Sequence, residues 1–173
     1  AKGKAATGSV FASQNWWQQR RWGVSSRIEW RYRDLEDEQL GVASEKTLRS
    51  VTLDLVNGYW RDDLLGGSAN SYRLSWTHGE LSMDSPYAVA SDFYGTEGRY
   101  HKVNLALLRQ QRLSPRFTLN MNLRGQLADG NLDSVEKMSL GGAYGIRAFP
   151  QGEASGDEGW LASTELRYAL SSQ

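Results

Sequence analysis

The chain contains no cysteine, which excludes disulfides, thiolate metal sites and a cysteine nucleophile. Proline is scarce, at 3 of 173 residues, so little interrupts long strands, where proline is tolerated only at edges and bulges. An excess of either charge is also missing, since 20 Lys plus Arg balance 20 Asp plus Glu. A neutral chain lacks the basic surplus that phosphate contacts require, so nucleic acid is not an expected partner. No stretch approaches the ~20 apolar residues of a membrane-spanning helix. Helical insertion is thereby excluded, but insertion as a β-barrel is not, because barrel strands present only every second residue to lipid. The two histidines, His78 and His101, read as standing apart on separate strands, and a zinc site wants more ligands at short spacing. No G-x-S-x-G turn, triad spacing or nucleotide motif occurs. Neither metal, cofactor nor catalytic chemistry is expected.

What is present is alternation. From Arg116 to Leu127 the odd positions hold Phe117, Leu119, Met121, Leu123, Gly125 and Leu127, and the even ones Thr118, Asn120, Asn122, Arg124 and Gln126. A helix cannot produce that period. Trp160, Ala162, Thr164, Leu166, Tyr168 and Leu170 alternate with Ser163, Glu165 and Arg167 in the same way. Ile28, Trp30 and Tyr32, then Val51, Leu53 and Leu55, then Tyr72, Leu74 and Trp76, then Val103, Leu105 and Leu107 mark four more strands. Lys137 to Ala143 is a shorter candidate and Ser9 to Gln18 a further one, so about seven or eight strands are expected. Strands near ten residues, strictly alternating, with Arg, Lys, Asp, Glu and Asn on one face, suit a transmembrane barrel around a wet lumen. The chain is rich in Trp and Tyr, at 7 and 8 residues, and the apolar face carries them near strand ends at Trp30/Tyr32, Tyr72/Trp76 and Trp160/Tyr168, where amphipathic rings meet a membrane–water interface. The expected fold class is all-β, an antiparallel up-and-down transmembrane β-barrel. The same pattern also fits a water-soluble antiparallel sheet with one wet face.

Connections are unequal. Leu113 to Pro115 reads as a tight turn and Ala128 to Asp133 as another. Asp34 to Lys46, Gly58 to Asn70, Gly79 to Gly98 and Gly142 to Gly159 read as long connections rich in Gly, Ser, Asp and Asn. Glu36-Asp37-Glu38 and Asp62-Asp63 are expected to be solvated loop charges. Asp129, Asn131 and Asp133 faintly echo a calcium loop but lack its glycine and terminal glutamate, so turn chemistry is expected. The first residues offer no apolar h-region and the last no closing device, so the sequence reads as an excerpt from a longer chain.

One phrase is more specific. Leu140-Gly141-Gly142 is followed by Ile146-Arg147-Ala148-Phe149, then Gly156-Asp157-Glu158-Gly159, then Glu165-Leu166. The segment from Ser139 to Tyr168 resembles the two-partner secretion transporters, the haemolysin secretion/activation proteins of Gram-negative bacteria, within the superfamily of POTRA-bearing barrels. The departures are Ile146 for the usual Val and Ala148 for the usual Gly. The likeness covers Lys46 to Leu170 well and the first 45 residues poorly. It implies an outer-membrane barrel of about sixteen strands preceded by a plug helix and two POTRA domains, modules absent from this chain. The whole of residues 1–173 would be one incomplete barrel segment. The resemblance also implies that the loop 142–159 folds back into the lumen, where Arg147 grips an acid on the wall. Glu165 is the candidate acid within this chain, with Ile146, Ala148, Phe149, Gly156, Asp157 and Gly159 shaping the loop. The implied partners are a secreted exoprotein and the lipid of the outer membrane, around a monomeric barrel. A general porin-like barrel and a soluble, Trp-rich binding sheet are the rival readings.

Overall fold

The structure is a computed structural model that describes residues 2–39, 42–141 and 154–170. Strands β1 (Lys2–Gln18), β2 (Trp22–Gln39), β3 (Val42–Asp62), β4 (Ser68–Met83), β5 (Gly98–Arg112), β6 (Phe117–Ala128) and β9 (Gly159–Tyr168) form one antiparallel sheet of seven strands. Its order is β1-β2-β3-β4-β5-β6-β9, each strand lying beside the next of the meander. Within the described residues β1 and β9 are the sheet's two ends and do not pair with each other. Strands β7 (Met138–Ser139) and β8 (Ser155–Gly156) make a separate two-stranded ladder.

Several expectations are corrected. Asp34 to Lys46 is not a long connection: β2 runs to Gln39 and β3 resumes at Val42, with Glu36 opposite Glu45. Extended pairing satisfies the backbone, and the acids stand on the strands, with Lys4 beside Glu36 at 3.4 Å. Gly58 to Asn70 is likewise mostly strand, leaving five residues around a 3-10 turn at Leu64–Gly66. Asp62 ends β3 and pairs with Arg109 at 3.3 Å, whereas Asp63 is the solvated turn charge expected, paired at the surface with Arg21. The described part of the Lys137 to Ala143 candidate, residues 137–141, is no member of the seven-stranded sheet, because β6 pairs directly with β9. Ala128 to Asp133 is therefore the start of one long excursion, not a hairpin turn. The connection after Met83 contains a short helix, α1 (Pro86–Ala90), capped by the Ser85 side chain.

The alternation sorts the two faces as expected, because register keeps like faces together. Ile28, Leu53, Trp76, Val103 and Leu127 stand opposite one another in turn across five strands. A bulge at Asp54/Val56 shifts the phase of β3, so Val56, Gly58 and Trp60 carry its apolar face onward and the expected role of Leu55 passes to Val56. Trp30, Trp160, Leu127 and Leu166 remain exposed on that face. The row Trp30, Val51, His78 and His101 borders it at one end, and Trp60 with Arg109 and Asn70 borders it at the other. His78 and His101 do not stand apart: they are cross-strand partners whose rings stack at 4.6 Å. Four glycines, Gly23, Gly58, Gly79 and Gly125, lie opposite Tyr59, Tyr72, Tyr100 and Trp160. At each the partner ring covers the bare backbone so closely that a methyl group would overlap it.

Apart from the two-residue step from β2 to β3, connections also sort by end. The β1–β2, β3–β4 and β5–β6 turns share one end of the sheet and span 19–21, 63–67 and 113–116. The helix-bearing segment 84–97 and the excursion 129–158 lie at the other. In bacterial barrels short turns face the periplasm and long loops the exterior.

Candidate functional site

The polar face carries a wall of charged and amide side chains. Arg27, Asp54, Ser75, Asn104 and Gln126 form one cross-strand row, and Glu29, Thr52, Thr77 and Lys102 the next. Neighbours in these rows bond to each other, as Thr52 does to Thr77 at 3.0 Å and Asn104 Nδ2 to Gln126 at 2.7 Å. Glu29 accepts from Arg27 at 2.9 Å and Arg31 at 2.5 Å. Toward the long-loop end the wall turns apolar, with Leu48, Leu81, Met83 and Tyr100 buried in one cluster.

The excursion after β6 folds over this wall. Leu132 inserts into the apolar cluster and is fully buried, alongside Ala88 of α1. Asp133 reaches Lys46 of β3 at 2.9 Å. Glu136 bridges two strands, accepting from Arg33 of β2 at 2.6 Å while Lys102 of β5 lies at 2.6 Å. The Glu136 side chain is only 7% exposed, against 19% for Arg33 and 12% for Lys102. Charges so withdrawn from water must be paired, and here each is. Gln126 of β6 donates to the main-chain carbonyls of both Glu136, at 3.2 Å, and Asp157, at 2.9 Å. A cavity of about 350 Å³ remains between the segment and the wall, bounded by Arg27, Arg73, Asn104 and Lys137.

The two stems of the loop are tied to each other as well. Asp157 Oδ1 accepts from the Leu132 amide at 2.8 Å, and Lys137 lies 3.2 Å from the same carboxylate. Met138 pairs with Gly156 and Ser139 with Ser155, and the Leu140 amide donates to Ala154 at 2.9 Å. The loop is thus closed at its base.

Of the expected site residues, Ile146, Arg147, Ala148 and Phe149 lie outside the described residues. Asp157 is a tie point of the stem. Gly156 lies in β8, where an added Cβ would stand 3.0 Å from the Glu158 carbonyl. Gly159 opens β9 opposite Gln126. Glu165 is on the polar face of β9, with Arg167 Nε donating to it at 3.1 Å. The residues that dock the stem, Leu132, Asp133 and Glu136 with Arg33, Lys46 and Lys102, were not legible beforehand. Their one signal was Asp133 and Glu136 standing three apart, the first closing the stretch that reads as a turn and the second just beyond it. Asp129 and Asn131 also exceed turn chemistry, since Asp129 accepts from the His101 amide at 2.7 Å and Asn131 donates to the Tyr94 carbonyl at 2.6 Å.

A seven-stranded meander with an apolar outer face, short turns at one end and a docked loop at the other can be compared with known proteins. Residues 8–173 match the family model described as haemolysin secretion/activation protein ShlB/FhaC/HecB. The chain belongs to the haemolysin secretion/activation family. It is 30% identical over 152 residues to the protein named heme/hemopexin transporter protein HuxB of Haemophilus influenzae strain 86-028NP, covering 85% of this chain and 26% of that one. A second HuxB, from strain ATCC 51907 / DSM 11121 / KW20 / Rd, is equally similar. The fold is that of CdiB from Escherichia coli, with a TM-score of 0.80 at 20% identity over 99% of this chain and 32% of that chain. The chain therefore spans about a quarter of the length of the curated relatives it matches. Members of this haemolysin secretion/activation family are transporters of the Gram-negative outer membrane, and this segment is part of such a barrel rather than a soluble sheet.

Proposed function

We propose that this chain forms the central wall of a pore that passes a large partner exoprotein across the outer membrane by two-partner secretion, without catalytic chemistry. The observation that carries this reading is the loop stem held across the polar wall by Glu136 between Arg33 and Lys102. A general porin needs the wall but not the phrase from Leu140 to Leu166 that continues from this stem. In this reading the wall lines a water-filled lumen within a monomeric barrel, lipid contacts the Ile28–Leu127 row, and the loop 142–159 lies in the lumen with Arg147 facing acids of the wall. A guanidinium grips a carboxylate with two parallel hydrogen bonds, so Arg147 acts as a latch that sets the loop's position. The closed stem supports this, because it starts the loop on the polar face.

The test is secretion of the cognate partner into the medium, scaled to the heat-modifiable barrel in the outer membrane of cells making the full-length protein. Arg147→Ala leaves the barrel inserted and lowers secretion several-fold, while Arg147→Lys restores it only in part, since an ammonium lacks the planar fork. Undiminished secretion by the Ala variant at equal barrel level would retire the latch.

A further inference from the structure

At the short-turn end a second cavity, of about 750 Å³, opens on the polar face between the β1–β2 turn, the β3–β4 turn and the start of β6. Four arginines line it, Arg20, Arg21, Arg61 and Arg112, against two acids, Asp62 and Asp63. Both acids are already engaged: Asp63 with Arg21, and Asp62 with Arg109 and the Leu64 amide. Among the described residues the guanidiniums of Arg20, Arg61 and Arg112 carry no hydrogen bond or ion pair. Their backbones are nonetheless fixed, since the Arg61 amide donates to the Arg21 carbonyl at 2.7 Å and the Arg112 amide to Gly67 at 3.0 Å. Three exposed guanidiniums, two of them on anchored backbones, therefore leave unpaired charge along a cavity whose volume lies in the range of ordinary ligand sites.

The opposite end of the same wall is different. There Arg33, Lys46 and Lys102 are neutralised by Glu136 and Asp133 of the docked stem. Among the described residues, positive charge is left over along the polar wall at the short-turn mouth. We infer that this cavity is an entry vestibule that takes the carboxylates of an acidic stretch of polypeptide passing into the lumen. The ligand class follows from the chemistry, because arginine forks match carboxylates bidentately. The occupant follows from position. Arg61 lies in register with Ala69, Gln110, Asn120 and Glu165 on the polar wall, so a lipid headgroup on the apolar face does not reach it. Charge steering of this kind raises capture rates and weakens with salt.

This inference rests on the pore reading, and one experiment separates the two. The full-length protein is reconstituted in planar bilayers of neutral lipid, and its conductance is recorded with an eight-residue Glu/Ser peptide, a Lys/Ser peptide or free succinate added to one side at a time. The acidic peptide is expected to block from the short-turn side, at concentrations where the basic peptide and succinate do not, and less as salt rises. The double variant Arg61→Gln/Arg112→Gln keeps the open conductance and raises the half-blocking concentration tenfold or more. If that variant fails to insert, Arg20→Gln on the exposed turn replaces it and raises the half-blocking concentration at least threefold. Equal block of wild type and variant, or equal block by both peptides, overturns the vestibule while leaving the pore. Equal block by succinate makes it a small-anion site and overturns the polypeptide assignment. A wild-type protein that conducts nothing removes the pore reading and the vestibule with it.

Discussion

Glu136 ties the loop stem to the polar wall through two cations at once. It meets two cations on two strands that are not neighbours in the sheet, so β2 and β5 are fastened through the loop. Its worth lies in mutual dependence. Without its carboxylate, Arg33 and Lys102 stay withdrawn from water and unpaired, and truncating one partner of a desolvated charge pair costs about 2–5 kcal/mol. Glu136→Gln keeps the volume and removes the charge. In the full-length protein in detergent, hydrogen exchange of the amides in 130–137 should accelerate roughly 30-fold or more, if exchange proceeds by local opening of the stem. Unchanged protection there would show that Leu132 and the main-chain bonds from Gln126 hold the stem alone.

The segment between β4 and β5 shows how an element outside the membrane is kept in shape. Asp92 closes it, accepting from the Thr96 amide at 2.9 and 2.7 Å, from Thr96 Oγ1 at 2.9 Å and from the Glu97 amide at 3.0 Å. Burial works to raise the Asp92 carboxyl, but these bonds, with the charge of Lys46, outweigh it and hold the group below the usual aspartate range. A folded-state value depressed below the unfolded one, about 3.9, gives stabilisation that is complete above that pH. It is lost as pH falls through the lower folded-state value. Protease cleavage near Phe93 and Tyr94, both highly exposed, should therefore be constant down to about pH 4 and rise below it, measured with an acid-active protease. Asp92→Asn cannot accept through both oxygens and should be cleaved faster than wild type above about pH 4, with the acid rise gone. An Asn variant that retains the wild-type acid profile would show that another carboxyl closes the segment.

For the whole molecule the decisive fact is an apolar face with nothing to cover it in water. Trp30, Trp160, Leu127 and Leu166 are exposed together with much of that face, and β1 and β9 end the sheet with open backbone edges among the described residues. An apolar barrel face of this kind is one that lipid covers in a membrane, and closure into a barrel is what removes open edges. In plain buffer neither exists, and open edges template association. The isolated 173-residue chain should be recovered only in detergent or as aggregate. A monodisperse monomer by light scattering without detergent would show that the face is closed by some other packing.

Period two alone decided the sheet, its two faces and the apolar-face residues from Phe117 to Leu127, because backbone geometry sends alternate side chains to opposite sides whatever lies around them. The loop phrase from Leu140 to Leu166 decided the family. Strand lengths were less legible: Asp34 to Glu38 reads as loop by charge, yet a charged strand is stable where both neighbours supply backbone partners. The phase of β3 beyond Asp54 required the bulge, which is a property of the pair β3–β4 and not of either strand. Only the tertiary structure brought Glu136 to Arg33 and Lys102. Those residues are 103 and 34 positions apart in sequence, and no local period relates them. Their meeting depends on how the meander aligns β2 with β5 and on Leu132 finding the apolar cluster, so that long-range burial set the ion pairs that local pattern could not.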